Sequence, residues 1–177
     1  MADRAEMLFR AEASVRYHRR RAAFLEQLDL FLTLVLLAAG GGTFITVASD
    51  VNGYAAGAGL VVTAIGLIQL VYKPEACAAR HRQWLKRWSA VLAEVRSSDE
   101  PTPHQIAAWV QTQHEIETEC VLELAALKAD CFNRTARALE RDAIPYKLRS
   151  HHRALIQLFS FERAMEAEDE RIRKLTQ

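Results

Sequence analysis

Few side chains in this 177-residue chain are spaced so that they could do chemistry together. His114, Glu115, Glu119 and Cys120 would bring polar ligands to neighbouring faces of one helix, and His151 beside His152 adds two imidazoles. A metal site needs convergent ligands at set spacing, and the chain contains no C-x-x-C or H-E-x-x-H element. Glycine-rich phosphate loops and the Gly-x-Ser-x-Gly nucleophile turn are absent as well. Single histidines and isolated thiols scattered over helices read as solvated or packing groups. The expectation is therefore no enzyme, with no catalytic residue, no metal and no cofactor. Cys77, Cys120 and Cys131 are odd in number and lack paired spacing, so reduced thiols are expected. Lys and Arg total 23 against 22 Asp and Glu, and this balance argues against a direct nucleic-acid partner.

The elements that would position these residues are more informative. Leu30 to Ala48 is a 19-residue block without a charge, and Tyr54 to Tyr72 is a second of the same length. At about 1.5 Å rise per residue a 19-residue helix is roughly 28 Å long, close to the hydrocarbon thickness of a bilayer. A central helix of a soluble bundle would carry polar residues on its outer face, and neither block has enough of them. Only Ser49 to Gly53 separates the two, a polar stretch suited to reversing the chain. A signal peptide does not fit, because 29 residues, many of them charged, precede the first block. The expected fold is an all-α membrane protein, a two-helix transmembrane hairpin with long cytoplasmic helical extensions.

Charge sets the expected orientation. Residues 1–27 carry six basic and four acidic side chains and residues 73–96 carry six and two, whereas the turn has one Asp and no Lys or Arg. The positive-inside rule then places both termini in the cytoplasm. Residues 97–177 carry eleven basic and fourteen acidic side chains, so the basic excess lies next to the spans, within reach of lipid headgroups. Headgroup contact is expected from Arg16, Arg19, Arg20 and Arg21 before the first span, and from Arg80 and Arg82 after the second.

Four segments follow: 1–29, an N-terminal juxtamembrane helix; 30–72, the hairpin; 73–96, a basic juxtamembrane helix; and 97–177, a cytoplasmic helical domain. Nothing between Tyr17 and Leu30 would break a helix entering the first span. Pro74 marks either the first turn of a new helix or a kink in a continuing one. Cys77, His81, Trp84, Trp88, Val91 and Val95 recur three or four apart, as on a packed seam. Packing within the cytoplasmic part is accordingly expected of Trp84, Trp88 and Trp109. Thr102, Pro103 and Gln105 form a capping-box start. From there Ile106, Trp109, Gln113, Ile116, Cys120, Leu124, Leu127 and Cys131 predict one long amphipathic helix reaching the Asn133 region. Ile144 and Pro145 interrupt the pattern, a final helix carries Leu148, His152, Leu155, Phe159 and Met165, and the charged tail from Glu168 is expected to fray.

Small residues cluster inside the apolar blocks: Gly40, Gly41, Gly42 and Thr43 in the first, Gly57, Gly59, Thr63 and Gly66 in the second. Small side chains let helix backbones approach in lipid, where no hydrophobic force drives association, so these positions are candidates for helix association or a pore lining in a homo-oligomer. Neither span carries an Asp, Glu, Lys or Arg, so a permanently hydrated charged route within one subunit is not expected. A narrow apolar path can be gated by dewetting.

The stretch SVRYHRRRAAFLEQLDLFLTLVLL from Ser14 to Leu37, the five-residue turn, the second span and AARHRQWLKRW at Ala78 to Trp88 together resemble the SLATT family of two-transmembrane bacterial effectors. The resemblance covers residues 14–95 best. It implies an oligomeric membrane effector that permeabilises or depolarises the inner membrane in a defence or stress response, beside a nucleotide-signalling or sensor partner. It offers no catalytic residues to carry over. The alternatives are a non-conducting membrane anchor, a scaffold or a sensor subunit that presents the cytoplasmic helical domain.

Overall fold

A computed structural model describes the backbone of residues 3–48, 52–120 and 123–176, with side-chain surroundings for 3–39, 57, 59–120 and 123–176. Among these residues there are seven helices and no strand: α1 (Arg4–Ala48), α2 (Asn52–Tyr72), α3 (Pro74–Ser97), α4 (Pro103–Glu119), α5 (Ala125–Ala138), α6 (Ser150–Leu155) and α7 (Glu162–Leu175). Two compact units result. One joins Met1–Arg20 to Arg82–Gln177, and the other is Arg21–His81, so both boundaries fall inside helices α1 and α3.

Helix α1 runs unbroken for 45 residues. Pro74 starts a new helix rather than kinking an old one: Lys73 takes a left-handed φ of 46° between α2 and α3. Pro suits that first position because its missing N–H has no helical partner to lose. The Ser49–Gly53 turn lies partly outside the described residues, and α2 resumes at Asn52.

In the larger unit the first turns of α1 are apolar on two faces. Met7, Ala11 and Val15, each one turn from the next, meet Trp88, Val91, Leu92 and Val95 of α3 and Trp109 and Ile116 of α4 in a first core. Two residues on, Phe9 stacks edge-on against Phe132 of α5 with centroids 4.9 Å apart, and Tyr17 enters a second core with Leu127, Cys131, Leu148, Ile156 and Met165. A helix sandwiched between two cores shows no single stripe, which is why the spacing through Leu8, Ala11 and Val15 discloses only one of its faces. Polar tips close the first core: the Trp109 indole donates to Glu94 at 3.0 Å and the Trp84 indole to Glu119 at 3.2 Å.

Three expectations need correction. The long helix from Pro103 to the Asn133 region is two helices, ending at Glu119 and restarting at Ala125. No Gly or Pro marks the break; tertiary partners satisfy the amides it frees. Tyr17 Oη accepts from the Leu124 N–H at 2.9 Å, Ser160 Oγ from Ala125 at 3.1 Å and the Ser160 carbonyl from Ala126 at 3.0 Å. These acceptors from distant segments take the place of the missing side-chain cap. The final helix is likewise two, with Phe161 in the left-handed region (φ 54°) just before α7, where it turns Ser160 toward α5. The charged tail is helical to Leu175 and does not fray from Glu168, with Glu168 bound by Arg171 and Glu170 by Lys174.

Helix α4 starts as its sequence reads, with the Thr102 and Gln105 groups bonded reciprocally and Pro103 at the first position. Helix α5 ends in a Schellman motif: Arg141 N–H reaches the Ala136 carbonyl at 2.9 Å and Glu140 N–H the Arg137 carbonyl at 3.3 Å. Glu140, rather than glycine, takes the left-handed position at φ 49°. Beyond it, Asn133 grips the irregular segment from both sides. Its amide donates to the Tyr146 carbonyl at 2.8 Å and its oxygen accepts the Tyr146 N–H at 2.9 Å.

Candidate functional site: the apolar hairpin and its flanks

The unit Arg21–His81 wears its apolar side chains on the outside. Leu30, Phe31, Leu34, Leu37, Leu60, Leu67, Leu70 and Val71 are all more than half exposed, and Val71 reaches 81%. The most apolar 18-residue stretch within Arg4–Ala39 has only 17% of its positions buried, and that within Gly59–Ser97 only 6%. Two helices of this chain are thus long and apolar enough to cross a membrane. Burial in this unit gathers at the charged end instead, at Arg21, Ala22, Leu25, Pro74, Ala78 and His81, with Leu32 the outlier among described residues.

Several described polar side chains of this unit find partners within it. Arg21 donates to Tyr72 Oη at 2.7 Å, Gln69 Nε2 donates to Thr33 Oγ1 at 3.2 Å, and the Thr63 hydroxyl turns back to the Gly59 carbonyl at 2.9 Å. The first two tie α1 to α2 at one end. Gly57, Gly59 and Gly66 have no described atom within 4 Å of where a Cβ would stand, so packing among the described residues gives no reason for glycine there. The surroundings of Gly40, Gly41, Gly42 and Thr43 lie outside the described residues, although all four belong to α1.

The six flanking arginines have different placements. Arg19 and Arg82 are exposed. Arg16 pairs with Glu12 at 3.0 Å along α1, and Arg20 donates to Asp130 of α5 at 2.5 Å. Arg21 is 8% exposed and lies over the Phe24 ring, and Arg80 donates to Cys77 Sγ at 3.3 Å. The cluster that reads as one basic collar is split, because Arg20 and Arg21 spend their donors inside the protein. Burial pushes the Asp130 carboxyl up, but hydrogen bonds from Arg20 and Arg134 outweigh it and hold the group below the usual carboxylate range. His81 is pushed down to about 4 by burial and by the charges of Arg21 and Arg80, so it is neutral at physiological pH.

Trp88 and Trp109 are buried in the first core and Trp84 packs at its edge, 5.6 Å from the His18 ring. The scattered polar residues do not converge. Glu115 and Glu119 face Arg87, Cys120 is buried with its thiol pushed up to about 11 by burial, and His151 stacks edge-on against His152 at 4.3 Å. Among the described residues no three potential metal ligands come together. Tyr17, Asp130, Asn133 and Ser160 were not singled out by spacing; each acts on a partner far along the chain, and only the unbroken polar character of Asp130 and Asn133 on an otherwise apolar stripe hints at a role.

No family model, curated protein or solved structure matches this chain.

Proposed function

We propose that the chain is a bacterial inner-membrane protein whose two spans form a hairpin with both termini in the cytoplasm, and that copies of it assemble into an effector that permeabilises or depolarises the membrane. The resemblance to SLATT effectors supplies the direction of this reading. The observation that carries its membrane half is the exposed apolar sheath, 17% and 6% buried over its most apolar stretches. Keeping the large side chains of residues 30–71 in water would forfeit roughly 10 kcal/mol or more of transfer free energy, at about 1.5–3 kcal/mol per fully buried side chain. Lipid removes that cost. It also accounts for helix through Gly40 to Gly42, since each glycine costs about 1 kcal/mol of helix propensity in water but a broken backbone in hydrocarbon costs more.

Open space beside Gly57, Gly59 and Gly66 supports their use between copies, where backbones approach closely. A second reading, a non-conducting anchor, scaffold or sensor subunit, draws support from the internally satisfied Thr33, Thr63 and Gln69, which leave no polar path along the described part of one hairpin. Induced expression with a membrane-potential dye separates the two. Depolarisation by the native chain, lost in a Gly41→Leu/Gly59→Leu variant that still inserts, is the expected result. An unchanged potential with the native chain would replace the effector by the anchor.

A further inference from the structure

Two adjoining cavities in the larger unit share Arg137 and Arg153 as a common wall. One, of about 280 Å³, is bounded by Arg20, Asp130, Arg134 and Ile156 besides the shared pair. The other, of about 550 Å³, adds Lys147, Arg149 and Glu168. Both acids are already taken. Asp130 accepts from Arg20 at 2.5 Å and from Arg134 at 2.8 Å, and Glu168 accepts from Arg171 at 2.9 Å and from the Lys147 N–H at 2.9 Å. Arg137, Arg149 and Arg153 have no acidic partner among the described residues. Three uncompensated guanidinium groups therefore border one basin, although residues 97–177 carry more acidic than basic side chains.

Like charges gathered in this way repel, and among the described residues no ion pair at these three arginines offsets the repulsion. The backbone around them is nonetheless fixed: Asn133 clamps Tyr146, and Arg171 Nη2 donates to the Pro145 carbonyl at 2.8 Å. Rigid support lowers the ordering cost of binding. Guanidinium forks meet phosphate oxygens through paired hydrogen bonds, and a single carboxylate would leave most of this charge unmatched.

We infer that this basin, formed by α5, the segment 145–149 and α6, is a binding site for a ligand bearing two or more phosphate charges. The shared chemistry is the phosphate group, carried either by a soluble phosphorylated molecule or by an anionic lipid headgroup. The inference does not depend on the hairpin conducting ions.

The test uses the full chain in lipid discs. In neutral phosphatidylcholine discs, calorimetric titration with inorganic pyrophosphate is compared among the native chain, an Arg137→Gln/Arg153→Gln variant and an Arg163→Gln control on α7. In discs containing cardiolipin, whose headgroup carries two phosphates, the anionic lipid retained per chain is measured for the same three. Binding of pyrophosphate that weakens about tenfold or more in the double variant and is kept by the control assigns the basin to a soluble phosphate ligand. A difference confined to cardiolipin retention assigns it to headgroups. Equal behaviour of native chain and double variant in both arms, or an equal loss in the control, overturns the proposal. The double variant should melt no lower than the native chain, because the substitutions relieve repulsion and break no ion pair. An Arg149→Gln variant that weakens the same binding alone provides a check independent of the shared wall.

Discussion

The hairpin unit and the larger helical unit are both rich in apolar residues and dispose of them in opposite ways. Among the described residues between 30 and 72 most leucines are exposed while Leu32 is buried, and a polar latch joins Gln69 to Thr33. In the other unit Met7, Trp88, Ile116 and Leu127 are fully enclosed, while arginines and glutamates take the surface. Composition alone would rank the hairpin as the better core. Its exposure teaches that an apolar helix is a core only when other helices cover it. A polar unit of modest hydrophobicity, by contrast, buries two clusters completely.

That contrast can be broken by substitutions chosen to act on one unit alone. The largest effect is expected from Trp88→Ala, which removes the biggest enclosed side chain of the first core and should cost about 3–5 kcal/mol. Thermal melting of the full chain should lose its main transition, while retention in carbonate-washed membranes stays at the native level. Loss of membrane retention as well would mean that the hairpin has no independent hold on lipid.

Next comes an arginine placed on each kind of exposed leucine. Leu37→Arg, within the first span, should oppose insertion by about 2.5–3.5 kcal/mol and shift the chain out of the membrane pellet. Leu158→Arg, on a side chain of the larger unit that is comparably exposed to water, should change stability by no more than about 0.5 kcal/mol. Equal tolerance of the two would show that the sheath faces water, and would end the membrane reading.

A smaller effect is carried by pH. His81 titrates near 4 in the folded chain against an ordinary value of 6.5, so the unfolded state binds the proton first on acidification. The stability this group permits is intact above pH 6.5, is lost progressively as pH falls toward 4, and amounts to about 2 kcal/mol by pH 5. A His81→Gln variant should flatten that slope in urea or thermal titrations between pH 6.5 and 5. An unaltered slope would place the acid sensitivity elsewhere.

Much of the fold can be read along the chain because its signals are local. Charge-free 19-residue blocks specify helices apolar over a bilayer's length, Thr102, Pro103 and Gln105 start α4, and Pro74 permits a helix start. Other features lie beyond such reading for a physical reason. The break after Glu119 depends on Tyr17, more than a hundred residues earlier, and on Ser160, which supply acceptors that no neighbouring residue provides. Periodicity across Cys120 and Leu124 continues unbroken, since both helices bury the same stripe. The flanking arginines look alike in sequence, yet Asp130 and Tyr72 withdraw Arg20 and Arg21 from the collar.

Sequence by itself determined that the chain is helical, that two stretches are apolar over a bilayer's length, and that basic residues cluster beside them. Those properties follow from composition and spacing within a few turns. Tertiary structure alone decided which charges are neutralised and which are left over, because pairing depends on distances between α1, α5 and α6 that no local pattern encodes. Thus a segment with an acidic excess folds to border a basin with Arg137, Arg149 and Arg153, while the basin's two carboxylates, Asp130 and Glu168, are held by other donors.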